Sequence, residues 1–129
     1  MEEQFIPYEL AIELRILGFD DYGFAFYWTD TKQLIFDSPD YLGKHNGVHL
    51  QAPLWQQAFD WFRKEKGFDS WVVPIHYIEN GKSFKKYTYI IEPVIFDETF
   101  SIDGTESENY EEARIECLKK LIELRKNVK

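Results

Sequence analysis

Histidine and cysteine are the side chains in this chain best suited to catalysis or metal binding. The chain has three histidines and one cysteine. His45 and His49 are four residues apart, a spacing that would place both on one face of a helix. Gly43, Asn46 and Gly47 disfavour a helix there. A catalytic zinc site also needs a third protein ligand, and no motif near this pair supplies one. The pattern favours polar loop residues, and we expect no metal and no other cofactor.

The third histidine and the cysteine lie in segments with regular apolar patterns. His76 falls between Ile75 and Tyr77 in a predicted strand, where a solvent-facing or hydrogen-bonded sheet residue is the usual case. Cys117 lies near Leu121 on the apolar face of a predicted helix, where a small thiol packs as a core residue. The chain contains no nucleophile elbow, phosphate-binding glycine loop or zinc-protease motif. These observations favour a protein that is not an enzyme, with a small enzyme of an unrecognised type as an alternative.

Two charged segments could bind ions or nucleic acid. Acidic residues are concentrated in Asp97–Glu108, but their spacing lacks the alternate oxygen ligands of a calcium loop, so we expect a solvated, mobile loop. Phe84–Tyr89 alternates lysines with rings, which is typical of a base-stacking platform and equally of an edge strand guarded by lysines. The net charge of −8 favours the edge strand.

The composition indicates one folded domain with a surplus of aromatic side chains. The 129 residues include eleven Phe, eight Tyr and four Trp, more aromatic area than one small core needs, so some rings should be exposed. A charge of −8 disfavours nucleic acid and anionic lipid as partners. No run approaches the roughly 20 apolar residues of a membrane span, and the acidic start Met-Glu-Glu-Gln is unlike a secretory signal. The single cysteine is consistent with a reducing compartment, so we expect a cytoplasmic protein. We expect a single α+β domain over residues 1–129.

Three helices organise the predicted fold. The central helix is predicted over Pro53–Gly67, which combines an aromatic-rich apolar face with a proline start and a glycine end. The first helix is predicted over Pro7–Leu17, with Gly18-Phe19 forming its terminal turn. The last helix begins after Asn109, a good N-cap residue.

Two hairpins are predicted between the helices. The first joins Gly23–Trp28 to Leu34–Phe36 through a polar loop. The second joins Trp71–Glu79 to Lys82–Glu92 through Asn80-Gly81, which suits a type I′ turn and sets Tyr77 opposite Phe84 and Ile75 opposite Lys86. Pro74 cannot donate to a ladder, so it indicates an edge strand or a bulge.

These elements predict an α+β fold in the order α-β-β-α-β-β-α, with an antiparallel sheet of about four strands covered by three helices. Residues 37–52 lack a regular apolar pattern and are predicted as a long connection, in which Asn46-Gly47 suits the turn of a small hairpin. Each αββ segment starts with a proline-led helix followed by Gly-Phe-Asp. This pattern is typical of an internal repeat, or of two common helix endings that coincide, and both interpretations stay open.

Two regions carry the residues that we predict to contact a protein partner. Ile12 and Ile16 lie on the first helix, away from its main apolar face, and Trp28 precedes the long connection that contains Tyr41. Interface cores favour aromatic side chains. The predicted binding residues are Ile12, Ile16, Trp28, Tyr41, His45 and His49. Alanine at Trp28 and Tyr41 is predicted to weaken partner capture and to leave stability nearly unchanged.

Segments spread over most of the chain resemble a group of small uncharacterised proteins of bacterial phages and integrated mobile elements. They are Ile6–Ala11, Ala52–Arg63 and Tyr110–Ile122. The resemblance implies a small accessory protein and carries over no site. We therefore predict a non-enzymatic protein that binds an unknown protein partner, with homodimerisation as an open alternative. An acidic nucleic-acid mimic that inhibits a host DNA-binding protein is the alternative function.

Overall fold

The computed structural model describes residues 4–19, 25–36, 49–93 and 102–126, which form three helices and two antiparallel three-stranded sheets. The helices are α1 (Tyr8–Ile16), α2 (Trp55–Glu65) and α3 (Tyr110–Lys126). The strands are β1 (Phe26–Trp28), β2 (Leu34–Ile35), β3 (His49–Gln51), β4 (Phe68–Glu79), β5 (Lys82–Pro93) and β6 (Ile102–Asp103). The predicted α+β class is confirmed. Within these ranges no helix combines the length and the apolar character needed to cross a lipid bilayer.

The arrangement of strands differs from the prediction of one sheet with about four strands. The two sheets have the strand orders β2-β1-β3 and β4-β5-β6, so the described elements follow the order α-β-β-β-α-β-β-β-α. Strand β1, the first of its three strands in the chain, is central in one sheet, whereas β5, the second of its three, is central in the other. The two αβββ segments therefore have the same order of elements along the chain but a different order of strands in the sheet.

The chain divides into two compact units, Met1–Ala58 and Phe59–Lys129. Helix α2 begins in the first unit and ends in the second. That residues 1–129 make one domain stays a prediction.

Helix α1 ends in the glycine turn that the sequence predicts. Gly18 has a φ of 105°, and its N–H donates to the Arg15 carbonyl at 3.0 Å. The Phe19 N–H donates to the Leu14 carbonyl at 3.0 Å, and the Phe19 side chain is buried. The first bond satisfies a carbonyl at the end of α1, and the second adds to the bond that the Leu14 carbonyl accepts from the Leu17 N–H at 3.1 Å. Together they turn the chain away from the helix.

Helix α2 begins at Trp55, two residues later than the predicted start at Pro53. The reason is that the Pro53 carbonyl accepts a hydrogen bond from the Ile6 N–H at 2.9 Å, which holds this residue in an extended pairing. Leu54 then caps the helix, and the side-chain oxygen of Gln57 accepts a hydrogen bond from the Leu54 N–H at 2.8 Å. Gln57 thus supplies half of a capping box, which compensates for the leucine at the cap position, because leucine has no side-chain oxygen to accept a hydrogen bond.

The first unit is built around β1. The predicted hairpin is confirmed, with Phe26 opposite Ile35 in β2, and β3 pairs with the other side of β1. All three side chains of β1 are buried, and the Tyr27 hydroxyl donates to the Ile6 carbonyl at 2.6 Å. Helix α1 packs against β3. The three-residue strand β3 lies at the end of residues 37–52, which the sequence predicts as a long connection with Asn46-Gly47 as an alternative hairpin turn. Residues 37–48 lie outside the described ranges, so that turn stays a prediction.

The second unit is built on a long hairpin whose turn the sequence predicts. Asn80 and Gly81 have φ values of 52° and 76°, the positive values that a type I′ turn requires. Tyr77 lies opposite Phe84, and the rest of the predicted register is confirmed as well. Strand β4 lies at the edge of its sheet, as Pro74 indicates.

A third strand and a bridge continue this sheet where the sequence analysis predicts a mobile loop. Strand β6 pairs with β5, and Ser107 exchanges two backbone hydrogen bonds with Tyr87 at 2.9 and 2.7 Å. The Thr88 hydroxyl donates to the Gly104 carbonyl at 2.8 Å. Residues 102–108 are therefore bound to the sheet, which corrects the prediction for this part. Residues 97–101 lie outside the described ranges.

Helix α3 covers one face of this sheet. Its predicted cap is confirmed, because the Asn109 Oδ1 accepts a hydrogen bond from the Glu112 N–H at 2.9 Å. The helix packs against β4 and β5. Its buried side chains are Ala113, Cys117, Leu118, Leu121 and Ile122.

Candidate protein-binding surface

The binding residues predicted on α1 differ in exposure. The Ile16 side chain is 70% exposed, and Ile12 is half-buried. Ile16 is therefore free to contact a partner. Tyr41 and His45 lie outside the described residues, so their binding role stays a prediction.

Trp28 and His49 are brought together as register partners in β1 and β3. Trp28 is only 5% exposed, and its ring lies edge-on to Phe26 with ring centroids 4.8 Å apart. His49 is half-buried, and its ring centroid is 6.0 Å from that of Phe26. A tryptophan with so little exposed area stabilises the unit by packing. We therefore leave Trp28 out of the surface described next.

The register of the long hairpin places its large apolar residues on one face. Residues that lie directly opposite in an antiparallel pair point to the same side, so the odd residues of β4 share a face with the even residues of β5. The apolar members of this face are Trp71, Val73, Ile75, Tyr77, Phe84 and Ile90, which we call the open sheet face. Trp71 is 48% exposed and Phe84 is 41% exposed. This face therefore presents aromatic area to solvent.

Helix α3 lies on the other side of the sheet. Cys117 forms a hydrogen bond with Ser70, and the ring of Tyr110 lies 6.1 Å from that of Tyr87. Ser70 and Tyr87 belong to the even positions of β4 and the odd positions of β5, as does the fully buried Ile91. Helix α3 thus does not cover the open sheet face, on which Trp71 and Phe84 are exposed and Val73, Ile75, Tyr77 and Ile90 are half-buried.

Two stacked rings and a lysine shape one end of the open sheet face. Tyr77 and Phe84 stack with centroids 5.4 Å apart and ring planes 19° apart. Beside them, the Lys86 Nζ lies 3.6 Å from Glu108 and 3.9 Å from Glu106. Tyr77 first, then the two carboxylates, raise the pKa of Lys86 above its usual value. The lysine therefore stays charged and is held against its own chain.

Within the described residues, the side chains suited to catalysis or metal binding are not gathered in one place. Burial raises the pKa of Cys117 to about 12, although its bond with Ser70 acts in the other direction. The thiol is therefore protonated at neutral pH and inaccessible to reagents. His76 lies exposed on β4. Across the described ranges, no group of three or more His, Cys, Asp or Glu side chains is placed to hold a metal ion.

An acidic groove of about 510 Å³ lies between the segment after β6 and the first half of α3. Four carboxylates, those of Glu106, Glu108, Glu112 and Glu116, are in its lining. Ile115 and Lys119 line it too, so the groove is not uniformly negative. Two of the glutamates also contact Lys86, which lowers the charge that they offer to a ligand.

Comparison of the chain with protein-family models, with curated proteins and with solved structures finds no match. The function must therefore be argued from the geometry. The open sheet face is absent from the residues predicted to bind a partner, although the sequence contains its signal. The turn at Asn80-Gly81 fixes which residues lie opposite each other, and from this register the shared face of Trp71, Tyr77 and Phe84 follows.

Proposed function

We propose that this chain is a non-enzymatic binding protein that acts by protein–protein contact through the open sheet face. The observation that carries the proposal is the exposure of Trp71 and Phe84, at 48% and 41%, on the side of the sheet away from α3. Binding energy at protein interfaces is concentrated in aromatic and other large side chains that a partner can desolvate. Burying these rings against an apolar partner surface would supply that energy.

The construction of the sheet supports this role. The two-residue turn fixes the register over twelve pairs, from Phe68 with Pro93 to Glu79 with Lys82. The stack of Tyr77 on Phe84 restricts both rings before any partner arrives. A surface that is already ordered loses less side-chain entropy on binding, so more of its contact energy remains as affinity.

The partner that fits this surface is a protein with its own apolar patch. A second copy of the chain meets that description, so homodimerisation is part of the proposal. The setting implied by the sequence resemblance, a phage or mobile-element accessory protein working in the cytoplasm, is proposed with it.

Affinity capture from cells that encode the protein tests the proposal, with matched pairs of alanine substitutions. The face variant carries Trp71→Ala and Phe84→Ala. The control variant carries Ile16→Ala and Ile78→Ala, which remove side chains that are 70% and 76% exposed and lie off the open sheet face. We expect a partner, or a second copy, to be retained by the wild type and the control and lost by the face variant.

Thermal unfolding of both variants is the necessary companion measurement, because a misfolded variant would also lose its partner. Each pair removes partly exposed side chains, so both variants should keep most of their stability. Equal capture by the wild type and a folded face variant would refute the proposal. Loss in the control alone would place the contact on α1 or on the other face of β4.

The acidic groove favours a second candidate function, that of an acidic mimic of nucleic acid. Salt separates the two functions, because contacts between exposed charges are screened within about 3 Å at 1 M salt and apolar contacts are not. Capture through the open sheet face should persist in high salt. Capture that fails there, and that Glu112→Gln with Glu116→Gln abolishes at low salt, would support the mimic.

A further inference from the structure

The direction of the backbone groups in β5 fixes the direction of those in β4. Tyr87 uses both its N–H and its carbonyl in hydrogen bonds with Ser107, on the side of β5 away from β4. Tyr87 lies directly opposite Pro74. In an antiparallel ladder such a residue forms a non-hydrogen-bonded pair with its partner on the other side. The backbone nitrogen and carbonyl of Pro74 therefore point away from β5, to the outer edge of β4.

The same alternation applies along the whole strand. Ser70, Val72, His76 and Ile78 also direct their N–H and carbonyl groups to the outer edge, where the described residues contribute no further strand. Pro74 sits in the middle of this row. Its missing N–H costs the hairpin no ladder bond, yet it removes the central donor from the row that an added strand would use.

We propose that Pro74 keeps the outer edge of β4 from adding a second copy of the same strand. A two-fold symmetric, antiparallel pair of β4 strands with maximal overlap is centred on residue 73 or 74. If the two-fold axis passes through residue 73, Val72 of each copy lies opposite Pro74 of the other copy. If the axis passes through residue 74, the two prolines lie opposite each other. Every long self-pairing thus meets the proline at its centre and loses hydrogen bonds there.

The exposed part of β5 is protected from strand addition in a different way. Residues 82–86 of β5 extend past the bridge at Ser107, so this stretch is paired only with β4 within the described ranges. Lys82, Lys85 and Lys86 are in this stretch, and charged side chains on an edge oppose strand addition. Strand β4 has no lysine, and its two carboxylates, Asp69 and Glu79, lie near its ends, so the middle of its long edge depends on Pro74.

The test is sedimentation velocity of Pro74→Thr at rising protein concentration. Threonine restores the N–H and suits a strand, so we expect self-association about tenfold tighter than that of the wild type, because a symmetric pair regains up to two hydrogen bonds. Val72→Thr is the matched control. It introduces the same side chain on the same edge without adding a backbone N–H, and it should behave like the wild type.

A reversal experiment locates the new contact. His76 also directs its N–H to the outer edge, so His76→Pro added to Pro74→Thr should return association to the wild-type level. A folded Pro74→Thr variant with wild-type association would overturn the proposal, and so would a double variant that still associates. Pro74→Val is a second variant that restores the backbone N–H, and it serves if Pro74→Thr does not fold. If both single variants fail to fold, the assignment of Pro74 to the outer edge is wrong.

Discussion

At the scale of single residues, burial decides which side chains keep their chemistry. Cys117 is fully buried against the sheet, and its pKa of about 12 lies about three pH units above the ordinary value of 9.0. Burial likewise raises the pKa of Tyr89. Both groups therefore stay neutral in the folded chain over a pH range in which the unfolded chain ionises.

This difference predicts a pH dependence of stability. Below pH 9 the thiol of Cys117 is protonated in both the folded and the unfolded chain, so its contribution to the free energy of unfolding is fully present. Between about pH 9 and pH 12 the unfolded thiol loses its proton and the buried thiol keeps it, so the free energy of unfolding should fall by about 1.4 kcal/mol per pH unit. Urea denaturation of the wild type and Cys117→Ala at several pH values measures it. The alanine variant should show the shallower slope, and equal slopes would contradict the burial of the thiol.

Residue type alone did not reveal which aromatic side chains are exposed. Trp28 and Trp71 are both in strands, yet one is 5% and the other 48% exposed. All three side chains of β1 are buried, so that strand has no alternating pattern from which a solvent face could be predicted. The predicted binding role of Trp28 rested on its place beside a long connection, a position that does not determine burial.

At the scale of elements, the segment after β6 approaches the sheet most closely at one glycine. A Cβ added at Gly104 would overlap the ring of Tyr89, which is buried beneath α3. The Gly104 N–H donates to the Tyr89 carbonyl at 2.8 Å, so the backbone cannot move away without losing this bond. The close approach of segment and ring therefore requires glycine.

We predict that Gly104→Ala destabilises the chain by about 1–3 kcal/mol, the usual cost of forcing an extra carbon into a packed site. The double variant Gly104→Ala with Tyr89→Leu should show a much smaller effect of the alanine, because the ring that it meets is gone. Chemical denaturation of the four chains in this double-mutant cycle measures the coupling. An alanine cost that is the same with and without the ring would contradict the packing.

Elements with strong local signals were predicted well, and those held by distant partners were not. The glycine turn after α1, the cap of α3 and the turn at Asn80-Gly81 are each encoded within a few residues. Strands β3 and β6 have three and two residues and exist through pairing with β1 and β5. So short a segment carries no period of its own, which explains the error in the sheet.

At the scale of the whole molecule, the sheet of the second unit has one face covered by a helix, two edges that oppose strand addition and one face that we propose for binding. Helix α3 covers one face of the sheet, Pro74 closes the outer edge of β4, and lysines flank the projecting part of β5. Within the described residues, the open sheet face keeps Trp71 and Phe84 exposed beside four half-buried apolar side chains. The net charge of −8 adds solubility to a chain that exposes aromatic rings.

Site-specific photo-crosslinking tests the central claim most directly. A benzophenone amino acid placed at position 71 or 84 lies on the open sheet face, and one placed at position 16 or 78 lies off it. Irradiation in cells that encode the protein should yield covalent adducts, to a partner or to a second copy, from positions 71 and 84 only. Adducts from position 16 or 78 without any from 71 and 84 would contradict the account.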